Sequence, residues 1–147
     1  MLTLSNGMEV WLKPTDFKAD EILFTSYAKG GLSLADSAAY TTAWLSSFVV
    51  NDGGVGGFKN TEMQKMLAGK LFTVRPYASA YTHGVTGSTR PEDLETALQV
   101  LHLGFLKPTE DPDAFAAMKA QINAFLVNRA NSPDQVFGDS ATSVNTG

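Results

Sequence analysis

At 147 residues, with 44% apolar and 18% charged side chains, the chain is long enough for one globular domain and lacks the signature of disorder. Its net charge of −4, from 11 basic residues scattered among 15 acidic ones, leaves no footprint for a polyanionic partner. Without cysteine, disulfides, thiolate zinc sites and cysteine nucleophiles are excluded, and no apolar run reaches the roughly 18 residues that would span a membrane.

The opening "MLTLSNGMEV" has neither the basic nor the apolar region of a signal peptide, and a strand begins almost at residue 2. Both ends therefore read as cuts within a longer chain, although Met1 is also a normal start. "LTL", the turn dipeptide Asn6-Gly7 and "MEVWLK", with Val10 and Leu12 on one face, predict a hairpin. "EILFTSYA" is mostly apolar and predicts a central strand, ended by Gly30-Gly31. A helix over Ala38 to Val50 follows, with Ser37 as N-cap and a wide apolar stripe of Tyr40, Trp44 and Phe48 beside Leu45 and Val49.

The stretch "NDGGVGGFKN" (51–60) ends that helix. Thr61 and Gln64 have capping-box spacing, which predicts a short helix carrying Met63, Met66 and Leu67 and closed by Gly69. "LFTVRPYAS" and "AYTHGVTGS" alternate as strands, and Pro76 marks the first as an edge or bulge. Thr89 and Glu92 form a second capping-box pair before the helix of Leu94, Leu98, Leu101 and Phe105, which Pro108 stops. Asp111-Pro112 opens a helix with Phe115, Met118, Ile122, Phe125 and Leu126 on one side, and Ser132-Pro133 opens a short one. The order predicts an α+β fold of two layers, a mostly antiparallel or mixed sheet with helices packed on one face.

The glycine stretch is the first candidate site. It fails as a Walker loop, because Gly57 is followed by Phe58 rather than lysine and Asn60 replaces the hydroxyl that would bind Mg²⁺. It fails as a dinucleotide fingerprint, because Lys59 holds the third glycine position and a helix rather than a strand precedes it. The plain reading is a turn between two helices. His83 and His102 lie on different elements with no metal-ligand spacing, and His102 reads as a partly buried structural residue. No G-x-S-x-G elbow occurs, and Glu92, Asp93 and Glu95 read as charge favourable to a helix N-terminus. The residues by themselves present no catalytic constellation.

Taken in order, "LSNGMEVWLKPTDFKADEILF", "KGGLS", "GVGGF", "EMQKMLAGK" and "RPYASAYTHGVTGSTRPEDLETALQVLHLGF" resemble one repeat unit of the pitrilysin/insulinase family of zinc peptidases, the inverzincins. The resemblance extends over nearly the whole chain. It implies that residues 1–147 are a single α+β domain of a larger, clamshell-shaped peptidase of the processing-peptidase kind. In the family's active unit, H-x-x-E-H on one helix binds zinc and activates the zinc-bound water. The matching helix here, "SAAYTTAWLSSFVV", has Tyr40, Thr41, Ala43 and Trp44 where ligands would stand, and neither histidine nor glutamate.

No catalytic or metal residue carries over. The resemblance implies a non-catalytic domain of the C-terminal half, with zinc held in the parent's catalytic domain and no cofactor in this segment. Its partners would be other domains of the same polypeptide and a peptide or protein substrate, with no nucleic acid and no membrane span. The parent would be exported to the periplasm. Gly54, Gly56, Gly57 and Phe58 are the residues that could face substrate. The alternative is a domain of an inactive peptidase homologue that serves as a structural or protein-interaction subunit.

Overall fold

A computed structural model describes residues 1–146. The order of elements is β1 (Leu2–Thr3), β2 (Glu9–Val10), β3 (Ile22–Lys29), α1 (Tyr40–Gly53), β4 (Gly54–Val55), β5 (Phe58–Lys59), α2 (Asn60–Met66), β6 (Phe72–Ala78), β7 (Thr82–Thr89), α3 (Leu94–Leu106), α4 (Pro112–Ala130) and α5 (Pro133–Thr146). Single 3₁₀ turns at Gly31–Leu34 and Pro91–Asp93 lead out of β3 and into α3. The fold is α+β, as the alternation of strand and helix patterns predicts.

The main sheet is antiparallel in the order β3-β7-β6. β7 is central, with Phe24 opposite Gly87 on one side and Val74 opposite Gly87 on the other. Gly87 must be glycine, because a Cβ there would run into the Phe24 ring. β6 is an edge, where Pro76 leaves no ladder bond unmade. α1, α2 and α3 pack over the face carrying Phe72, Val74, Pro76 and Val85. Leu32, Val55, Val85 and Ala97 are the buried apolar residues.

Several local expectations are corrected. β3 lies at the edge of the sheet, not its centre, and its apolar residues Leu23 and Tyr27 face solvent. β2 is two residues long, and Leu12 lies beyond it and is exposed. α1 begins with Ala39 as N-cap and no side-chain cap bond; the Asp36 carboxylate accepts from the Ala39 N–H at 2.7 Å in the turn before it, and Ser37 caps nothing. α2 starts at Asn60; Glu62 reaches back to the Lys59 N–H at 2.8 Å, and the Thr61–Gln64 pair caps nothing. Thr89 is held in the ladder of β7 and its hydroxyl turns to the Arg90 carbonyl, so the second capping box is not made either. α5, expected to be short, runs 14 residues. Asp111 does cap α4, accepting from Asp113 N–H at 3.0 Å and Ala114 N–H at 3.3 Å, with Pro112 in the first turn.

The accessible surface is 11,266 Å². A self-contained monomer of 15.7 kDa exposes about 7,300 Å². Exposed apolar side chains such as Phe125 on α4 and Phe137 on α5 are part of the excess of about 4,000 Å², and neither helix has a buried residue. Helices without a buried face gain little from packing, so these surfaces are built to be covered.

Candidate functional site

The glycine stretch folds as a hairpin. Val55 pairs with Phe58 and Gly54 with Lys59, which leaves Gly56 and Gly57 as a two-residue turn with φ of 71° and 91°. Positive φ at both turn positions is the signature of a type I′ turn, and Gly-Gly supplies it without steric cost. A third segment braces the hairpin. Gly56 N–H donates to the Lys107 carbonyl at 2.8 Å, Thr109 N–H to the Gly54 carbonyl at 3.0 Å, and Gly57 N–H to Thr109 Oγ1 at 3.0 Å. The amides that a phosphate would need are thus already bonded to the chain, which disposes of the nucleotide reading on geometry.

Of the four residues proposed from the resemblance, Gly54 is buried in the hairpin and Gly56 is half-buried. Gly57 and Phe58 stand at the exposed tip, with Phe58 46% exposed. Lys59 leaves the hairpin toward the start of α4, reaching Asp113 at 2.8 Å and Asp111 at 3.2 Å. Those contacts, with Asp113 first and Asp111 second, raise the Lys59 ammonium above its ordinary range. Burial opposes ionisation of Asp111, but the Ala114 N–H, Lys59 and the Asp113 N–H outweigh it and the carboxyl is lowered overall.

Asp93, read from the sequence as helix-dipole charge, makes a second polar junction. It is 1% exposed. Its Oδ2 accepts from the Leu71 N–H at 2.9 Å and from Arg90, while Oδ1 meets Lys70 Nζ at 2.9 Å. The Leu71 N–H, then Lys70, then Arg90 hold the carboxyl far below the usual carboxylate range, against the effect of burial. The cluster ties the loop before β6 to the start of α3. Its role is structural, since every polar atom of Asp93 is used internally.

Between α1, α2, α3 and the sheet lies a cavity of about 480 Å³, lined mostly by apolar groups including Val55, Met63, Leu67, Val74 and Phe105. On α1, Trp44 and Phe48 stack edge to face at 5.7 Å and are about half exposed, with Tyr40 beside them. No group of histidine, aspartate and glutamate among the described residues could hold a metal ion. His83 Nδ1 accepts from the Gly31 N–H at 3.3 Å and pins the turn after β3, whereas His102 is exposed rather than partly buried. Among the described residues, no helix is long and apolar enough to cross a membrane.

No family model matches the chain. A relative from Arabidopsis thaliana, described as zinc protease PQQL-like, is 30% identical over 149 positions, covering 99% of this chain and 13% of the relative. The periplasmic protease PqqL from Escherichia coli superposes with a TM-score of 0.76 at 20% identity, over 94% of this chain and 15% of PqqL. The ferredoxin protease FusC, solved as a mutant in complex with Arabidopsis ferredoxin, gives 0.75 at 21% identity, over 97% of this chain and 15% of FusC. The chain therefore spans about an eighth of the length of the relative it matches in sequence. In sequence and in fold, the chain is a homologue of one segment of the pitrilysin-family zinc proteases.

Proposed function

We propose that the chain is a non-catalytic unit of a zinc-dependent metalloendopeptidase, packing against other parts of the same polypeptide and helping to enclose a peptide substrate. The surface excess of about 4,000 Å² carries this reading. So much exposed apolar area on α4 and α5 suits an element built into a larger assembly. The helix α1, which the family's active unit uses for zinc, has no histidine or glutamate here. Zinc would sit in a different unit of the parent. The periplasm is the compartment we assign to the parent, following the description of PqqL.

The longer gene product, purified, should hydrolyse unstructured peptides and lose that activity on chelation, regaining it with added zinc. The 147-residue chain should hydrolyse none. Zinc-dependent cleavage by the isolated chain, or a longer product inert in every peptide assay, would reject the reading.

The hairpin tip is the part of the glycine stretch free to meet substrate. Phe58→Ser should raise the KM of the longer protein for peptide about threefold while leaving kcat unchanged and the melting temperature little altered, because the ring is about half exposed. An unchanged KM would reduce the hairpin to its bracing role.

A further inference from the structure

The helices cover one face of the β3-β7-β6 sheet and leave the other bare. Strand alternation and register put Leu23, Tyr27 and Lys29 of β3 on the bare face, with Arg75 and Tyr77 of β6 across from them. Leu23 and Tyr27 are 73% and 74% exposed. Between these two rows runs the central strand with Gly84 and Thr86. The Tyr77 hydroxyl donates to the Ser26 carbonyl at 3.2 Å, so its side chain reaches across the central strand at Gly84. The result is a shallow floor with aromatic and cationic sides.

The charge on this floor runs against that of the molecule. The chain holds 15 carboxylates, yet none falls in β3, β6 or β7. Lys18, Lys59, Lys70, Arg90 and Arg129 are each tied to a carboxylate, whereas Lys29 and Arg75, like Lys13, Lys65, Lys107 and Lys119, make no ion pair among the described residues. Lys29 lies four residues along β3 from Thr25, whose row reaches Arg75 two strands away. That places the two cations about 16 Å apart, the span of roughly five residues of extended chain.

We propose that the bare face of the sheet is a docking floor for an acidic polypeptide in extended conformation, with Arg75 and Lys29 receiving its carboxylates and Tyr27 and Tyr77 packing against its side chains. This rests on reading the chain as part of a peptidase's substrate enclosure and names the class of substrate. A nucleic acid is the poorer occupant, because it needs densely spaced cations on a surface whose overall charge does not repel it. A peptide needs only a few carboxylates at strand spacing and gains from the aromatic rings.

The test is fluorescence anisotropy of rhodamine-labelled peptides of about twelve residues, alternating Glu with Ser or Lys with Ser, titrated with the 147-residue chain. The acidic peptide should bind at least about tenfold more tightly than the basic one and weaken as salt is raised. The double variant Lys29→Glu/Arg75→Glu should abolish that preference with its circular dichroism unchanged, since both side chains are exposed. Lys65→Glu/Lys119→Glu, the same charge change placed on the exposed faces of α2 and α4, should leave binding as it was. Equal affinity for the two peptides, no measurable binding of the acidic one, or binding that survives the double variant would overturn the proposal. Zinc-dependent hydrolysis by the longer protein together with any of those results would sink the docking floor alone. Acidic-peptide binding by a chain whose longer product cleaves nothing would uphold the floor and sink the peptidase.

Discussion

Asp93→Ala is expected to lower the melting temperature by on the order of 10 °C, the largest fall of any single polar substitution in the chain. The carboxylate is enclosed, and its removal leaves the Leu71 N–H without its acceptor at the mouth of β6. It also frees Lys70 and Arg90, which would then repel each other across the same site. Asp93→Asn keeps the volume and one acceptor for Leu71 but loses both ion pairs, and should fall about half as far. Thermal unfolding followed by circular dichroism measures both. A loss for Asp93→Asn as large as that for Asp93→Ala would mean that charge, not the Leu71 bond, dominates. No loss for either would show that the cluster is dispensable.

The same residue sets a pH dependence. The folded carboxyl lies below its unfolded value of about 3.9, so the native state binds fewer protons than the unfolded one in this range. Its stabilisation is complete above pH ~5 and is lost progressively as pH falls through ~4 and below. Asp111 and Asp139 are lowered in the same sense, the latter by Arg129, so the wild-type acid curve sums several groups. The difference between wild-type and Asp93→Asn curves isolates this one: it should be constant above pH ~5 and shrink toward zero in acid. A gap that widens as pH falls would contradict the assignment.

Legibility in the sequence followed how local each interaction is. β6, β7 and α3 were readable, because period-2 and period-3.6 patterns reflect a face packed within this chain. β3 misled for the opposite reason. Its apolar run faces solvent here, so its composition records a covering that these 147 residues do not supply. The capping pairs failed because a neighbouring ladder fixed the cap residue first. Thr89 is paired with Ile22 and Phe72, and Lys59 with Gly54, before either helix begins. Asp93 was read as helix-dipole charge because its decisive partner, the Leu71 N–H, lies 22 residues back in the chain. The glycine stretch was read as a plain turn between two helices; that it pairs as a hairpin, with Gly56-Gly57 between Val55 and Phe58, was missed because its bracing by Lys107 and Thr109 comes from a loop some fifty residues away.

That bracing makes the glycine hairpin the second place where a single change should be severe. Gly54→Val is expected to cost on the order of 4 kcal/mol, against about 1 kcal/mol for Gly57→Ala. At Gly54 two penalties coincide. Its φ of 103° is disfavoured for any side chain and worst for a β-branched one, and a Cβ would overlap the Phe58 carbonyl and stand 2.8 Å from the Asn60 N–H. Relief would require opening the β4–β5 pair. Since Gly54 also accepts from Thr109 and is followed by buried Val55, opening would release the 107–109 strap and with it the entry to α4. At Gly57, a Cβ meets only the end of the flexible Lys107 side chain, so strain at φ 91° is the whole cost. Urea unfolding of both variants measures the contrast. Equal, small losses would show that the hairpin is a loosely held turn. A selective collapse of Gly54→Val would establish that the glycines exist to let two distant segments of backbone meet.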